Sequence, residues 1–167
     1  MLLNMLKDKL GLIVENLTYE TKSFYEDRLV SLAIFGSVGR GTPNCDSDID
    51  LLIIADNLPN GRMKRISEFN YIENKIEPVT QSLKNYNINT RLSPVIKSKE
   101  EALYGSPLFL DMVSDAVILY DRDNFLTDIL NSLKIKLEKL GSKKIIRGNA
   151  CFWDLKPDLK QGEDIII

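Results

Sequence analysis

Histidine is absent from all 167 residues, which removes Ser-His-Asp and Cys-His catalysis and most zinc hydrolases. Cysteine is nearly absent. Cys45 and Cys151 have no second thiol or imidazole at a metal-ligand spacing, so neither a disulfide framework nor a zinc set is indicated, and a cytoplasmic location is expected. No apolar run reaches membrane-spanning length. The N-terminal leucines are interrupted by Lys7, Asp8, Lys9, Glu15 and Asn16, which makes an amphipathic helix rather than a signal peptide or a span, so no membrane partner is expected. Positive charge is not in excess either. The net charge is −2 and no stretch is rich in Lys and Arg, so strong nucleic-acid binding is not expected, which argues against a template-dependent polymerase. Carboxylate chemistry is what remains.

The length fits one domain with a true core, and 44% apolar against 28% charged residues is an ordinary globular balance. Strands alternate with helices. The spacing predicts a helix from Leu2 to Tyr19, strands over Leu29–Phe35 and Ile49–Ala55, and a helix from Arg62 to Leu83 that Pro78 bends or ends. Beyond it come a third strand within Asn89–Ser98, placed at an edge or bulge by Pro94, and short helices from Lys99 and Pro107. A fourth strand over Ala116–Tyr120 leads to a long helix ended by Gly141, and a hairpin turns at Gly148-Asn149. This pattern is α/β (α+β): a small mixed β-sheet with helices packed mainly on one face. The whole chain, 1–167, reads as one domain with a helix and hairpin extension from about residue 122.

Two features carry chemistry. After the apolar run Leu29–Phe35, the turn Gly36-Ser37-Val38-Gly39-Arg40-Gly41 leaves backbone N–H groups open to an anion, because glycine has no side chain to block close approach and permits positive φ; Ser37 adds a hydroxyl donor. Then Asp48 and Asp50 stand two apart at the start of the next strand, where residues i and i+2 share a face with Cα atoms roughly 6.5 Å apart. Two neighbouring carboxylates call for a cation between them, and Mg²⁺ is the natural candidate.

Gly36-Ser37, ten intervening residues and Asp48-Ile49-Asp50, set between apolar strands with Arg40-Gly41 and Ser47 in place, resemble the signature of the DNA polymerase beta-type nucleotidyltransferase superfamily, and within it the minimal stand-alone proteins of prokaryotes. The resemblance implies the polymerase beta-like nucleotidyltransferase fold. It also implies nucleotide-binding residues Gly36, Ser37, Arg40 and Ser47, metal-binding and catalytic residues Asp48 and Asp50, Mg²⁺ or Mn²⁺ as cofactor, and an NTP as donor. The expected reaction is transfer of a nucleoside monophosphate to a hydroxyl of a small molecule or protein.

One departure from that pattern has consequences. Active members carry a third carboxylate on the third strand, and here that strand offers Arg91, Ser93 and Pro94. Loss of a general base costs about 10²- to 10⁴-fold in rate while binding survives. The alternative reading is therefore a nucleotide-binding, weakly active or inactive antitoxin-like partner of a HEPN-type protein. Glu77 and Glu100 are the acids considered as substitutes for the missing base, and Arg62, Lys64 and Arg65 are weighed as phosphate contacts against plain surface charge.

Overall fold

The structure is a computed structural model that describes residues 2–147 and 150–160; the expected Gly148-Asn149 turn and residues 161–167 lie outside the described residues. In chain order the elements are α1 (Leu2–Tyr25), β1 (Leu29–Phe35), α2 (Gly36–Gly39), β2 (Ile49–Ala55), α3 (Arg62–Leu83) and β3 (Leu92–Lys97). They are followed by α4 (Lys99–Leu103), α5 (Leu108–Asp115), β4 (Val117–Asp121), α6 (Phe125–Lys139), β5 (Lys143–Arg147) and β6 (Ala150–Asp154).

The main sheet has the order β3-β2-β1-β4. β1 pairs antiparallel with both β2 and β4, whereas β2 and β3 run parallel. A parallel neighbour requires a crossover, and α3 supplies it. Pro94, which lacks an N–H, sits on the edge strand β3 opposite Leu51, where one side of the backbone needs no ladder bond. β5 and β6 form a separate two-stranded hairpin.

Both faces of the central pair are covered, because β1 is buried at every position and β2 at every position but Asp50. On one face Leu32, Ile34, Leu51 and Ile53 pack with Leu6, Leu10, Ile13 and Leu17 of α1 and Phe69, Ile72 and Ile76 of α3. On the other, Val30, Ala33, Phe35, Leu52 and Ile54 meet Ala102 of α4, Phe109 and Met112 of α5, and Leu126 and Leu130 of α6. The expectation of helices mainly on one face describes the two longest, α1 and α3; α4 to α6 lie on the other. Each large apolar side chain so enclosed stabilises the fold by about 1.5–3 kcal/mol before chain entropy is subtracted.

Helix α1 runs six residues past the expected Tyr19. The reason is that Thr21 and Tyr25 continue the Leu17 face at i+4 intervals, and both are buried. Pro78 neither ends α3 nor divides it, and Met63 in its first turn is exposed. The third strand is shorter than expected, starting at Leu92. Arg65 is committed to structure: it grips both carboxylate oxygens of Glu101 at 2.6 and 3.0 Å and donates to the Ile96 carbonyl. Glu101 in turn forms the capping box of α4 with Ser98.

Asp121 closes the other side of the sheet. Its carboxylate accepts hydrogen bonds from the Ser31 hydroxyl at 2.7 Å, the backbone N–H groups of Leu126 and Thr127 at 2.9 Å, and the Thr127 hydroxyl at 2.7 Å. It thereby ties β1 and β4 to the open N-terminus of α6. Asp121→Ala should cost about 2–4 kcal/mol, since bonds to a charged acceptor each contribute about 1.5–3 kcal/mol and part of that is recovered by water. Urea unfolding of the two proteins checks this; a difference below about 1 kcal/mol would contradict it.

Candidate active site

β1 ends at Phe35, whose antiparallel partner is Asp50. That register brings the Gly36 turn and the carboxylate of β2 to the same place. Gly36 has φ +68 and begins α2; a Cβ built there would overlap Asp50 Oδ2 and lie 3.3 Å from Asp50 Cγ. Only glycine suits both the backbone angle and the contact. As opening residues of a helical turn, Gly36 and Ser37 have no i−4 carbonyl for their N–H groups to bond. The turn is closed behind them by Arg40 N–H to Gly36 O, Gly41 N–H to Val38 O and Thr42 N–H to Ser37 O, all 2.9–3.0 Å.

Asp50 is half-buried, and burial pushes its carboxyl above the usual carboxylate range; the hydrogen bond from Ser93 opposes this, the negative charge of Asp48 adds to it, and Arg40 opposes it. A carboxylate raised by burial and by a like-charged neighbour is the electrostatic setting that a divalent cation relieves, so the pair fits Mg²⁺ or Mn²⁺. Among the described residues no set of three His, Cys, Asp or Glu side chains closes into a metal site. Ser93 is the register partner of Asp50 on β3. It occupies the position directly beside Asp50 where a third acid would stand.

Asp48 is exposed and precedes the first residue of β2. It lines a polar cleft of about 880 Å³ between α3 and residues 89–92, together with Asp46, Glu73, Glu77 and Arg91. Glu77 thus shares a cleft with Asp48. Glu100 does not: the parallel pairing runs from Ile49 with Leu92 to Ile54 with Lys97, so a residue beyond Lys97 lies past the opposite end of the sheet. A second groove of about 910 Å³, between α4, α5 and α6, contains none of the motif residues.

The loop carrying Asp48 is laced to the approach of β3. Ser47 is buried, and its hydroxyl accepts the Asn44 N–H at 2.9 Å while its carbonyl accepts the Thr90 hydroxyl at 2.8 Å. Asn89 N–H bonds Cys45 O at 2.7 Å, and Ile49 N–H bonds Arg91 O at 2.8 Å. In these contacts Ser47 acts as a brace for the loop. Arg40 donates to Asp115 Oδ2 at 2.7 Å, with 47% of its side chain exposed.

Sequence reasoning missed Asp115. It lies 75 residues from Arg40, at the end of an unremarkable apolar helix, and no local pattern marks it. Burial alone would raise its carboxyl, but hydrogen bonds from Arg40, Ser114 and Lys144 outweigh that and hold it below the usual range.

The family model for the nucleotidyltransferase domain matches residues 15–107, which contain the whole turn, both carboxylates and β3. This chain belongs to that family. A Methanocaldococcus jannaschii protein named "Putative protein adenylyltransferase MJ1305" is 32% identical over 130 residues, 77% of this chain and 83% of that one. Chains from two crystal structures of toxin–antitoxin assemblies are also similar. One, with AMP-PNP, has 16% identity, a TM-score of 0.39 and coverage of 74% of this chain and 92% of that chain. The other, a mutant of the MntA-HpeT pair, has 18% identity, a TM-score of 0.42 and coverage of 76% and 91%. No helix among the described residues of this nucleotidyltransferase-family chain is long and apolar enough to cross a membrane.

The raised Asp50 carboxyl makes a signed prediction. A group whose folded-state pKa lies above its unfolded value favours the fold when protonated and loses that contribution as pH rises through the folded value. At neutral pH without metal, the ionised Asp50 therefore works against the fold. Asp50→Asn, which stays neutral and can still accept the Ser93 bond, should melt about 2–4 °C higher, the effect of ~1 kcal/mol in a domain of this size. The gap should close on acidification as the natural protein takes up its proton. Melting curves in EDTA across the acidic range check this; a gap that widens toward low pH would contradict it.

Proposed function

We propose that this protein is a metal-dependent nucleotidyltransferase that moves a nucleoside monophosphate from an NTP to a hydroxyl, with a protein side chain as the acceptor class that the 32% identical relative's name suggests. The observation that carries the proposal is the contact between Gly36 and Asp50, which sets an anion-accepting turn against one of the two carboxylates. In this reading Asp48 and Asp50 hold the cation. Gly36 and Ser37 hold phosphate oxygens through N–H groups and the Ser37 hydroxyl, and Ser93 keeps Asp50 oriented. Bound there, Mg²⁺ or Mn²⁺ would neutralise triphosphate charge and ease departure of pyrophosphate. The acceptor oxygen bonds to the α-phosphorus, the bond to the pyrophosphate oxygen breaks, and the acceptor proton must leave. In this reading the proton passes to water, because Glu77 shares a cleft with Asp48 alone of the motif residues, on the α3 side. Arg40 contributes through the turn it belongs to, and Ser47 through the loop it braces.

A second reading, a nucleotide-binding and weakly active antitoxin-like partner of a HEPN-type protein, is favoured by one observation: Ser93, a poor base, stands beside Asp50 in place of a carboxylate. The two readings separate in a single-turnover assay with labelled NTPs, Mg²⁺ and a cell extract as acceptor source. Asp48→Asn combined with Asp50→Asn should abolish labelling. If the missing base limits the rate, Ser93→Asp should raise it by about 10²- to 10⁴-fold. Fast labelling by the natural protein, unchanged by Ser93→Asp, would discard the second reading. Labelling that survives the double substitution would discard the first.

A further inference from the structure

The carboxylate of Asp115 is only 5% exposed, yet it has cations on two sides: Arg40 Nη1 at 2.7 Å from the phosphate turn, and Lys144 Nζ at 3.2 Å from both oxygens, reaching in from β5. Ser114 Oγ adds a third donor at 2.8 Å. The backbone is engaged as well. A Cβ at Gly39 would overlap the Asp115 carbonyl oxygen and come within 3.1 Å of Ile34 O, so the turn packs directly on the last residue of α5. These are two independent contacts, one through the side chain and one through the main chain, between the same residue and adjacent positions of the bend, Arg40 and Gly39. On the far side, Lys144 also lies 3.8 Å from Asp111, which accepts from Trp153 Nε1 at 3.4 Å. One helix end therefore gathers both the phosphate turn and the C-terminal hairpin. Asp115, Lys144 and Trp153 all lie beyond the stretch that the family model matches.

We propose that Asp115 is the positioning residue of the phosphate turn: its charge fixes Arg40, and through Arg40 the Gly36–Gly41 bend, while the hairpin's Lys144 balances the remaining negative charge. The proposal rests on the turn binding triphosphate, as argued above. Phosphate recognition by backbone N–H groups depends on those groups being held in place before the ligand arrives, because ordering a loose bend on binding subtracts from affinity. A buried carboxylate shared by two cations is well suited to that, since removing its charge takes the ion-pair partner from Arg40 and leaves Lys144 with only the longer contact to Asp111. Lys144, which touches the turn only through Asp115, should matter less than Asp115 itself.

The test compares the full-length natural protein with Asp115→Asn, Lys144→Met and Arg40→Lys. Amide hydrogen exchange is followed over Gly36–Gly41 and over β1, and binding is measured for Mn²⁺ alone and for ATP, GTP, CTP and UTP each with Mg²⁺. In Asp115→Asn, exchange over Gly36–Gly41 should quicken at least tenfold while β1 stays protected. The affinity of the best NTP should fall about tenfold and that for Mn²⁺ should not change, a split that general destabilisation would not produce. Lys144→Met should give a smaller change in the same direction, and Arg40→Lys, which keeps the charge, should retain most of the protection. If exchange over the turn is unchanged in Asp115→Asn, or if β1 and Mn²⁺ binding are lost along with it, the assignment is overturned. If the natural protein binds no NTP, the reading of the turn as a triphosphate site fails, and the exchange measurement still decides whether Asp115 fixes the bend.

Discussion

The backbone of Gly36 lies so close to the carboxylate of Asp50 that no side chain fits between them, and much of the molecule is arranged around that contact. It requires β1 and β2 to be antiparallel and in a register that puts Phe35 opposite Asp50. A slip of one residue would turn Asp50 toward the α1 and α3 face and place Leu51 against the turn. The register is protected by burial: Leu32, Ile34, Leu51 and Ile53 belong to one face and Ala33, Phe35, Leu52 and Ile54 to the other. A shift would exchange these sets against two differently shaped helical layers. The apolar core thus fixes, to within one residue, where a polar site can be.

The polar side of the arrangement has a cost that the core offsets. Asp50 is half withdrawn from water next to another acid, and its carboxyl is raised accordingly; such strain at a site is the usual mark of groups kept for a ligand rather than for the fold. The surroundings limit the movement that would relieve it. Ser47, Asn44, Asn89 and Thr90 hold the Asp48 loop to the start of β3, and Asp115 holds the turn from the α5 side. The carboxylates are braced from both flanks.

Much of this was legible in sequence, and the limits follow from range. β1, β2 and α3 have the bounds that apolar periodicity and turn residues predict, because in each the local signal and the tertiary environment agree. The turn and the two acids are contiguous in the chain, so their pairing could be argued from spacing alone. The third strand was legible as an edge strand from Pro94, but not that Ser93 rather than Arg91 lies beside Asp50, since the register of a parallel pair is set by the crossover helix and not by the strand itself. The end of α1 is hidden in a polar stretch from Glu20 to Arg28, in which only the Leu17 spacing marks Thr21 and Tyr25 as buried. The Arg40–Asp115–Lys144 set joins three elements separated by 75 and 29 residues, and no single-sequence pattern carries that distance. Covering the second face with α4 to α6 also depends on how short helices fold back, which periodicity does not encode.

The central claim is that the turn and the carboxylate pair are one site because Gly36 admits Asp50. Mn²⁺ binding to Gly36→Ala, followed by electron paramagnetic resonance in the absence of nucleotide, tests it most directly. The added methyl meets the Asp50 side chain first and must displace its carboxylate, so the account predicts Mn²⁺ affinity at least tenfold weaker than in the natural protein, in a variant that still unfolds cooperatively. Undiminished Mn²⁺ affinity in folded Gly36→Ala would contradict it.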